Sequence, residues 1–281
     1  MLDLHMHSTA SDGTDTPSEI ITKCAKLRLC LASITDHDNI DAQKEAMDCA
    51  KKNKIPYITG VEFSVRHIGE LHILGYGIDV DSPKLKTMME DLRESRVERV
   101  HAIIRSLHEH DISISFEDVE RFAKGNTLGR PHVALALMEK GYASDLQDAF
   151  SRYLNESGLC YVQRRKLNPQ QAMELILGAG GMPVLAHPKF VKTDDMDALV
   201  AQLAREGLAG IEAYYPAHND ADVEKYLAMA KKYNLIVTEG SDYHGKMREY
   251  AAIACEKRGG ERLLESVKIL RGKACNMIET K

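Results

Sequence analysis

Histidine is the residue type that stands out in this chain of 281 residues, with 12 His against no Trp and 5 Phe. The histidines gather with carboxylates in places where they can act together. Asp3-Leu4-His5-Met6-His7-Ser8 carries imidazoles at i and i+2. In a strand those positions share a face, so the pair converges on one point, as metal ligation requires. Asp12 follows in Ser11-Asp12-Gly13, a turn able to bring its carboxylate back over the same strand end. Further on come Thr35-Asp36-His37-Asp38, Gly60-Val61-Glu62, Glu70-Leu71-His72, Ala186-His187-Pro188 and Ser241-Asp242-Tyr243-His244-Gly245, the last again an i, i+2 pair. A single histidine of this kind is ordinarily a surface or capping residue. Six of them with at least three carboxylates on one rim are more than one metal can use. Mixed nitrogen and oxygen ligation suits Mn²⁺, Zn²⁺ or Fe²⁺ and disfavours Mg²⁺ and Ca²⁺.

The elements that must position these groups follow from hydrophobic periodicity. Apolar runs of strand length fall at 1–7, 30–36, 56–64, 71–77, 183–187, 208–215 and 235–241. Stretches of helical period lie near 17–28, 39–53, 169–179, 196–206, 219–233 and 260–271. Alternation of this kind implies parallel pairing with right-handed crossovers, and seven strands suggest a barrel more than an open sheet. In a parallel barrel the strand C-termini open on one face, where sites form. His72 is the exception, because it begins its strand. It reaches the site by local irregularity, or its strand runs antiparallel.

The alternation breaks over 82–155, which reads as helices only. Val97, Val100, Ile104 and Leu107 form one stripe, Ser115 with Asp118 reads as a capping box, Pro131 suits a first turn ended by Gly141, and Ser144 with Gln147 opens another helix. The expected organisation is therefore a barrel over 1–81 and 156–281 with a small all-helical insertion over 82–155. The remainder is short for eight βα units and more natural for seven.

Composition narrows the function classes. A hydrophobic share of 44% with 28% charged residues, 19 Gly and 8 Pro is an ordinary globular balance. There is no apolar run long enough for a bilayer, and Met1–His5 shows neither a basic n-region nor an h-region, so a cytoplasmic protein with no membrane partner is expected. The net charge of −5 argues against wrapping long nucleic acid. Cys24, Cys30, Cys49, Cys160, Cys255 and Cys275 contain no Cys-x-x-Cys pair and read as small hydrophobes in a reducing compartment.

In this order the motifs resemble the PHP (polymerase and histidinol phosphatase) family, over nearly the whole chain. The resemblance implies an α/β fold, a distorted seven-stranded βα barrel of TIM-like type, with a site for two or three divalent metals, Mn before Zn or Fe. Carried over by position, it gives one metal His5, His7, Glu62 and Asp242, a second Asp12, His37 and His244, and a third His72 and His187 with Glu62 bridging. Asp3 and Asp36 read as groups orienting ligand imidazoles, and Asp38 as either such a group or a substrate contact. With every ligand position filled, the implied activity is metal-assisted phosphomonoester hydrolysis, in which His37, Asp242 and His244 act at the reacting centre.

Gly129-Arg130-Pro131-His132 resembles the PHP phosphatases of nucleoside 3′,5′-bisphosphates and their relatives that shorten RNA from the 5′ end. A helix N-terminus favours an anion, Arg130 can grip phosphate bidentately, and His132 adds a donor; the alternative is a surface Arg130 and a capping His132. The implied partner is a small phosphorylated nucleotide or a short RNA end, with the 3′-phosphate as first candidate for hydrolysis. Arg130 and His132 are then catalytic clamps. Tyr161-Val162-Gln163-Arg164-Arg165-Lys166 either holds a second phosphate or forms a solvated edge. Lys189 and Phe190 follow Ala-His-Pro, where the subgroup often has an aromatic residue. His218 contacts phosphate, protonates the leaving group or caps a helix, and Tyr214 and Tyr215 stack on a base or fill the core. His67, His101, His108 and His110 read as structural or exposed. The rival readings are a histidinol-phosphate phosphatase, a non-catalytic metal-holding PHP module, and a metal hydrolase of amides or esters.

Overall fold

In the computed structural model, which describes residues 1–123, 125, 127–247, 251–254 and 261–279, Cys255 and the side chain of Cys275 lie outside the described set, as do Lys124 and Asn126 within the expected insertion. Chain order runs α1 (Pro17–Lys26), α2 (Ala42–Asn53), β1 (Gly60–Ser64), β2 (His72–Tyr76), α3 (Pro83–His108), α4 (Phe116–Glu120), α5 (Arg130–Glu139), α6 (Leu146–Ala149), a π-helical turn (Phe150–Leu154), α7 (Pro169–Gly178), β3 (Met182–Leu185), α8 (Met196–Arg205), β4 (Gly210–Tyr214), α9 (Asp220–Lys232), β5 (Ile236–Glu239) and α10 (Glu261–Glu279). Short polar caps fix where the helices start. Thr16 with Glu19, Ser115 with Asp118, Asn168 with Gln171 and Asn219 with Asp222 form reciprocal boxes, each satisfying two otherwise unpaired backbone donors. At α6 the cap is Asp145, which accepts from Asp148, and not the expected Ser144.

The protein is an α/β fold with a five-stranded sheet in the order β1-β2-β3-β4-β5. β1 and β2 pair antiparallel, as do β2 and β3; β3, β4 and β5 run parallel. The reversal of β2 explains how His72 enters from a strand start.

Segments 1–7 and 30–36, expected as strands, form single bridges instead of ladders. Asp3 bridges Ala32, Met6 bridges Tyr243, Ala32 bridges Tyr57 and His37 bridges Glu62. Leu4 N–H also donates to the Glu239 carbonyl at 3.1 Å. The ladders are broken because side chains take backbone groups that pairing would use. The Asp3 carboxylate accepts from His5 N–H, the Tyr57 hydroxyl from Ile34 N–H, and the Ile34 and Leu4 carbonyls accept from Gln43 and Tyr76.

Two apolar clusters matter for the site. The larger lies under the sheet and includes Leu4, Phe63, Leu74, Ile176, Val184 and Val237, together with Leu85, Met89 and Leu92 from the first half of α3. The second gathers Val100, Ile104 and Leu107 from the rest of α3 with Val133, Leu137, Tyr153 and Leu154. A single 26-residue helix therefore serves both clusters. Among the described residues, no helix is long and apolar enough to cross a membrane.

Candidate active site

The strand-end segments bring together all nine side chains expected as ligands. His5 and His7 share a face, with ring centres 5.2 Å apart. His7 stacks on His244 at 4.0 Å and stands 4.5 Å from His37, and His72 lies 5.2 Å from His37 and 5.1 Å from His187. Glu62, from β1, occupies the middle. Its Oε1 meets His72 Nδ1 at 2.7 Å, His187 Nε2 at 3.1 Å and His5 Nε2 at 3.3 Å. Its Oε2 lies 2.8 Å from His37 Nδ1 and 3.3 Å from His7 Nε2. Asp242 Oδ1 is 3.2 Å from His7 Nε2, and Asp12 Oδ1 is 3.4 Å from His244 Nε2. Four overlapping sets of donor atoms result, each within 4.8 Å: His7, Asp12, His37 and His244; His5, His7 and Asp242; His5, Glu62 and His187; His37, Glu62 and His72.

This donor set fits divalent cations. His5 Nε2, both ring nitrogens of His7, Asp12 Oδ1 and His244 Nε2 are buried and make no hydrogen bond. Each such atom costs about 1–3 kcal/mol unless something satisfies it. Burial alone would raise the Glu62 carboxyl, yet the imidazoles of His37, His72 and His5 hold it well below the usual range. Against the same burial, His244 and His37 hold Asp12 down. Burial lowers His72 and favours its neutral, ligating form. Ionised carboxylates among inward-facing imidazoles are the arrangement that mixed N/O metal sites need. The backbone is under load at three of the strand ends: Asp38, His187 and Asp242 have φ of +48°, +24° and +55°, a region that costs non-glycine residues of order 1–3 kcal/mol.

The supporting residues differ from expectation. Asp3 and Asp36 hold backbone and turns, not imidazoles. Asp3 accepts from the N–H groups of His5, Ser241 and Ala254, and burial raises its carboxyl to about 6. Asp36 accepts from Ser8 N–H, Ser8 Oγ and Ser11 Oγ, which shapes the turn carrying Asp12. Two further contacts reach the cluster, one from Glu212, which the motifs do not include, and one from Tyr215, expected on a base or in the core. Glu212 Oε1 accepts from His5 Nδ1 at 3.0 Å, and Tyr215 Oη donates to Asp242 Oδ2 at 2.9 Å. A carboxylate inside a buried strand such as Gly210-Ile211-Glu212-Ala213-Tyr214 is the signal that would have found Glu212, because it must have partners.

Beside the cluster lies a cavity of about 760 Å³. Asp12, His37 and His72 line it on the cluster side, and Arg96, Arg99, Arg130, Arg164 and Lys166 line another wall, with Tyr161, Phe150 and Phe190 between. Asp38 is not a free carboxylate at this wall. It is in ion-pair contact with Arg96, and its Oδ2 accepts from Arg164 at 2.8 Å, so those guanidiniums hold its carboxyl far below the ordinary range despite burial. Glu70 and Glu156 line the same cavity and act on Arg130 electrostatically. Arg99 and Arg130 donate to the carbonyls of Val162 and Leu154 at 2.7 and 3.0 Å, which neutralise no charge. Burial and mutual repulsion push Arg99 down to about 9, Arg164 to about 10 and Lys166 to about 8.

Arg96 and Arg99 escape sequence reading because they flank the apolar stripe of α3 and look like solvated helix residues. Their i, i+3 spacing is the available signal. His132 is buried, accepts from Gly129 N–H through Nδ1 at 3.1 Å, and is not among the residues lining the cavity. His218 likewise does not line it. Its Nδ1 lies 2.9 Å from the Ala213 carbonyl, and its ring packs between Tyr215 and Tyr226. A separate cavity of about 540 Å³, lined by Asp38, Lys44, Asp48, Lys86 and Glu90 among others, contains none of the nine cluster residues.

The profile of the PHP domain matches residues 3–177. The chain is 34% identical to the 3′,5′-nucleoside bisphosphate phosphatase of Chromobacterium violaceum, over 86% of this chain and 87% of that one. It is 32% identical to the 5′-3′ exoribonuclease Rnm of Escherichia coli, over 86% of this chain and 84% of that one. A solved amidohydrolase structure from Chromobacterium violaceum, with bound sulfate and no metal, superposes with a TM-score of 0.86 at 30% identity, covering 96% of both chains.

Proposed function

The chain belongs to the PHP domain family and is a hydrolase of phosphate esters; on that premise we propose a metal-dependent phosphatase of nucleotides that carry two phosphates, in first place the 3′-phosphate of nucleoside 3′,5′-bisphosphates. The observation that carries this reading is the gathering of Arg96, Arg99, Arg130, Arg164 and Lys166, one buried and four half-buried, on one cavity where Asp38 pairs with two of them. Half-buried like charges at such density call for an anion, and the histidine–carboxylate cluster across the same cavity calls for cations. A substrate with one phosphate at each end answers both. Short RNA with a 5′-phosphate is the second substrate, on the similarity to the Escherichia coli exoribonuclease. Histidinol phosphate fits poorly, since it brings one phosphate and a cationic amine toward a cationic wall.

In this reading two or three Mn²⁺ ions are held by His5, His7, Glu62 and Asp242, by Asp12, His37 and His244, and by His72 and His187 with Glu62 between. Bound cations supply Lewis acidity, activating water and stabilising charge on the phosphoryl oxygens. The chain's own residues do the rest. Arg96, Arg99, Arg130, Arg164 and Lys166 bind and orient the distal phosphate. Asp38 positions Arg96 and Arg164 and touches no substrate. His132 acts by fixing the start of α5, which places Arg130, and His218 acts by packing beneath Tyr215.

The architecture follows the same reading. The bridged segments 1–7 and 30–36 lie between β5 and β1 and complete a seven-membered ring. Residues 82–155 form a helical insertion that contributes Arg96, Arg99 and Arg130 to the cation wall, and the first half of α3 is its root in the barrel core. Metal-reconstituted protein assayed for phosphate release from adenosine 3′,5′-bisphosphate, 5′-phosphorylated short RNA and histidinol phosphate tests the proposal. Turnover of the bisphosphate ahead of the others is expected, and a preference for histidinol phosphate would sink it.

A further inference from the structure

Glu212 sits in the middle of β4 with no solvent exposure. Its two oxygens serve different donors. Oε1 accepts from His5 Nδ1 at 3.0 Å, and Oε2 accepts from the backbone N–H of His187 at 2.8 Å. These are the two histidines that share one donor set with Glu62. His187 is also the residue with φ of +24°, so the carboxylate bonds to a backbone held in a region that is costly for a non-glycine residue. The surroundings leave no slack. A Cβ at Gly240 would lie 2.2 Å from His5 Cβ and 2.6 Å from Glu212 Oε1.

We propose that Glu212 is a positioning residue of the metal centre, fixing the His5 tautomer and the His187 backbone so that both imidazoles turn Nε2 toward Glu62. The argument rests on the reading that the cluster holds divalent cations. With Nδ1–H donated to Glu212, the proton is kept off His5 Nε2, which is the nitrogen facing Glu62 and Asp242. Hydrogen bonding at one ring nitrogen sets which nitrogen can ligate. Two N–H donors converge on this side chain, so it must accept at both ends. A carboxylate does so and an amide does not. Glutamine would keep the volume but turn an NH₂ toward one donor. If that donor is His5, the ring is driven to the tautomer that cannot ligate.

Mn²⁺ titration of metal-stripped protein by calorimetry, with melting of the metal-free forms, tests the role. Glu212→Gln is expected to stay folded and to raise the Mn²⁺ binding midpoint about 10–100-fold, with hydrolysis recovering at saturating Mn²⁺. Glu212→Asp keeps the charge but is one methylene short of spanning both donors. It carries the test if the glutamine variant does not fold, with a raised midpoint again expected. A folded variant with the wild-type midpoint overturns the proposal, even if its melting temperature falls, because that pattern belongs to a purely structural role. Wild-type protein that binds no Mn²⁺ overturns the metal reading along with it, whereas wild-type binding with unaffected variants overturns this proposal alone.

Discussion

The two walls of the large cavity solve opposite electrostatic problems. On the cluster side, carboxylates and imidazoles interleave, and Glu62 alone meets five histidines. On the other side stand five cations, of which Arg96 and Arg164 share Asp38. The first wall leaves lone pairs unsatisfied and the second carries a surplus of positive charge. Burial is tolerable in both only if ligands of opposite sign complete them. The contrast shows that charge surplus, read locally, states the sign of the ligand, where the global −5 does not.

The comparison can be broken at either wall. The largest effect is expected from His37→Ala, which removes a donor common to two of the ligand sets. Phosphate release under metal-replete conditions should fall by roughly 10²–10³-fold or more. A variant with full metal content and near-normal turnover would remove His37 from the reacting centre.

Next comes Asp38→Asn, which removes the shared counter-ion of Arg96 and Arg164. Breaking a buried pair costs about 3–5 kcal/mol, so the melting temperature should drop by roughly 6–20 °C at 2–4 °C per kcal/mol. Inorganic phosphate should restore more of it than it adds to the wild type. The sign with pH follows from the depressed carboxyl. Its stabilisation is present above the ordinary carboxylate pKa and is lost as pH falls toward the folded value, so the wild-type and Asn proteins should converge in melting temperature in acid.

A smaller effect separates the walls by substrate. Arg130→Ala or Arg99→Ala removes one charged donor, worth about 1.5–3 kcal/mol. The KM for a bisphosphate should rise roughly 10–100-fold while kcat for a simple aryl phosphate is unchanged. Equal losses on both substrates would mean that the wall does not read the second phosphate.

The smallest effect concerns Lys166, whose ammonium is pushed down to about 8 by burial and by Arg164 beside it. It is charged below that pH and neutral above it. The KM for a bisphosphate should therefore climb roughly 3–10-fold between pH 7 and 9.5, and Lys166→Arg, which stays charged, should flatten the climb.

The two walls also differ in how far the sequence reveals them. His5 with His7 and Asp242 with His244 are legible because the strand period of two puts such pairs on one face. The antiparallel alternative for His72 is equally legible, since a ligand at a strand start demands it. The cation wall is not. Arg96 and Arg99 lie beside an apolar helical stripe, Arg130 starts another helix, and Arg164 and Lys166 alternate along an irregular segment, so no single periodicity gathers them. Strand count suffers from the same long-range effects. Segments 1–7 and 30–36 have strand composition, yet Asp3, Gln43, Tyr57 and Tyr76 intercept the hydrogen bonds that would have built ladders. Glu212 has a buried-carboxylate signature, but only tertiary structure identifies its two donors.

The contact between the chain's opening segment and its last strand has a kinetic consequence. Asp3 accepts from Ser241 across 238 positions, and Leu4 bonds to Glu239. His5 and His7 cannot meet Asp242 and His244 until the long intervening segment has been made. Loop closure over that span makes assembly slow, so the donor sets that need Asp242 and His244 form after the set of His37, Glu62 and His72.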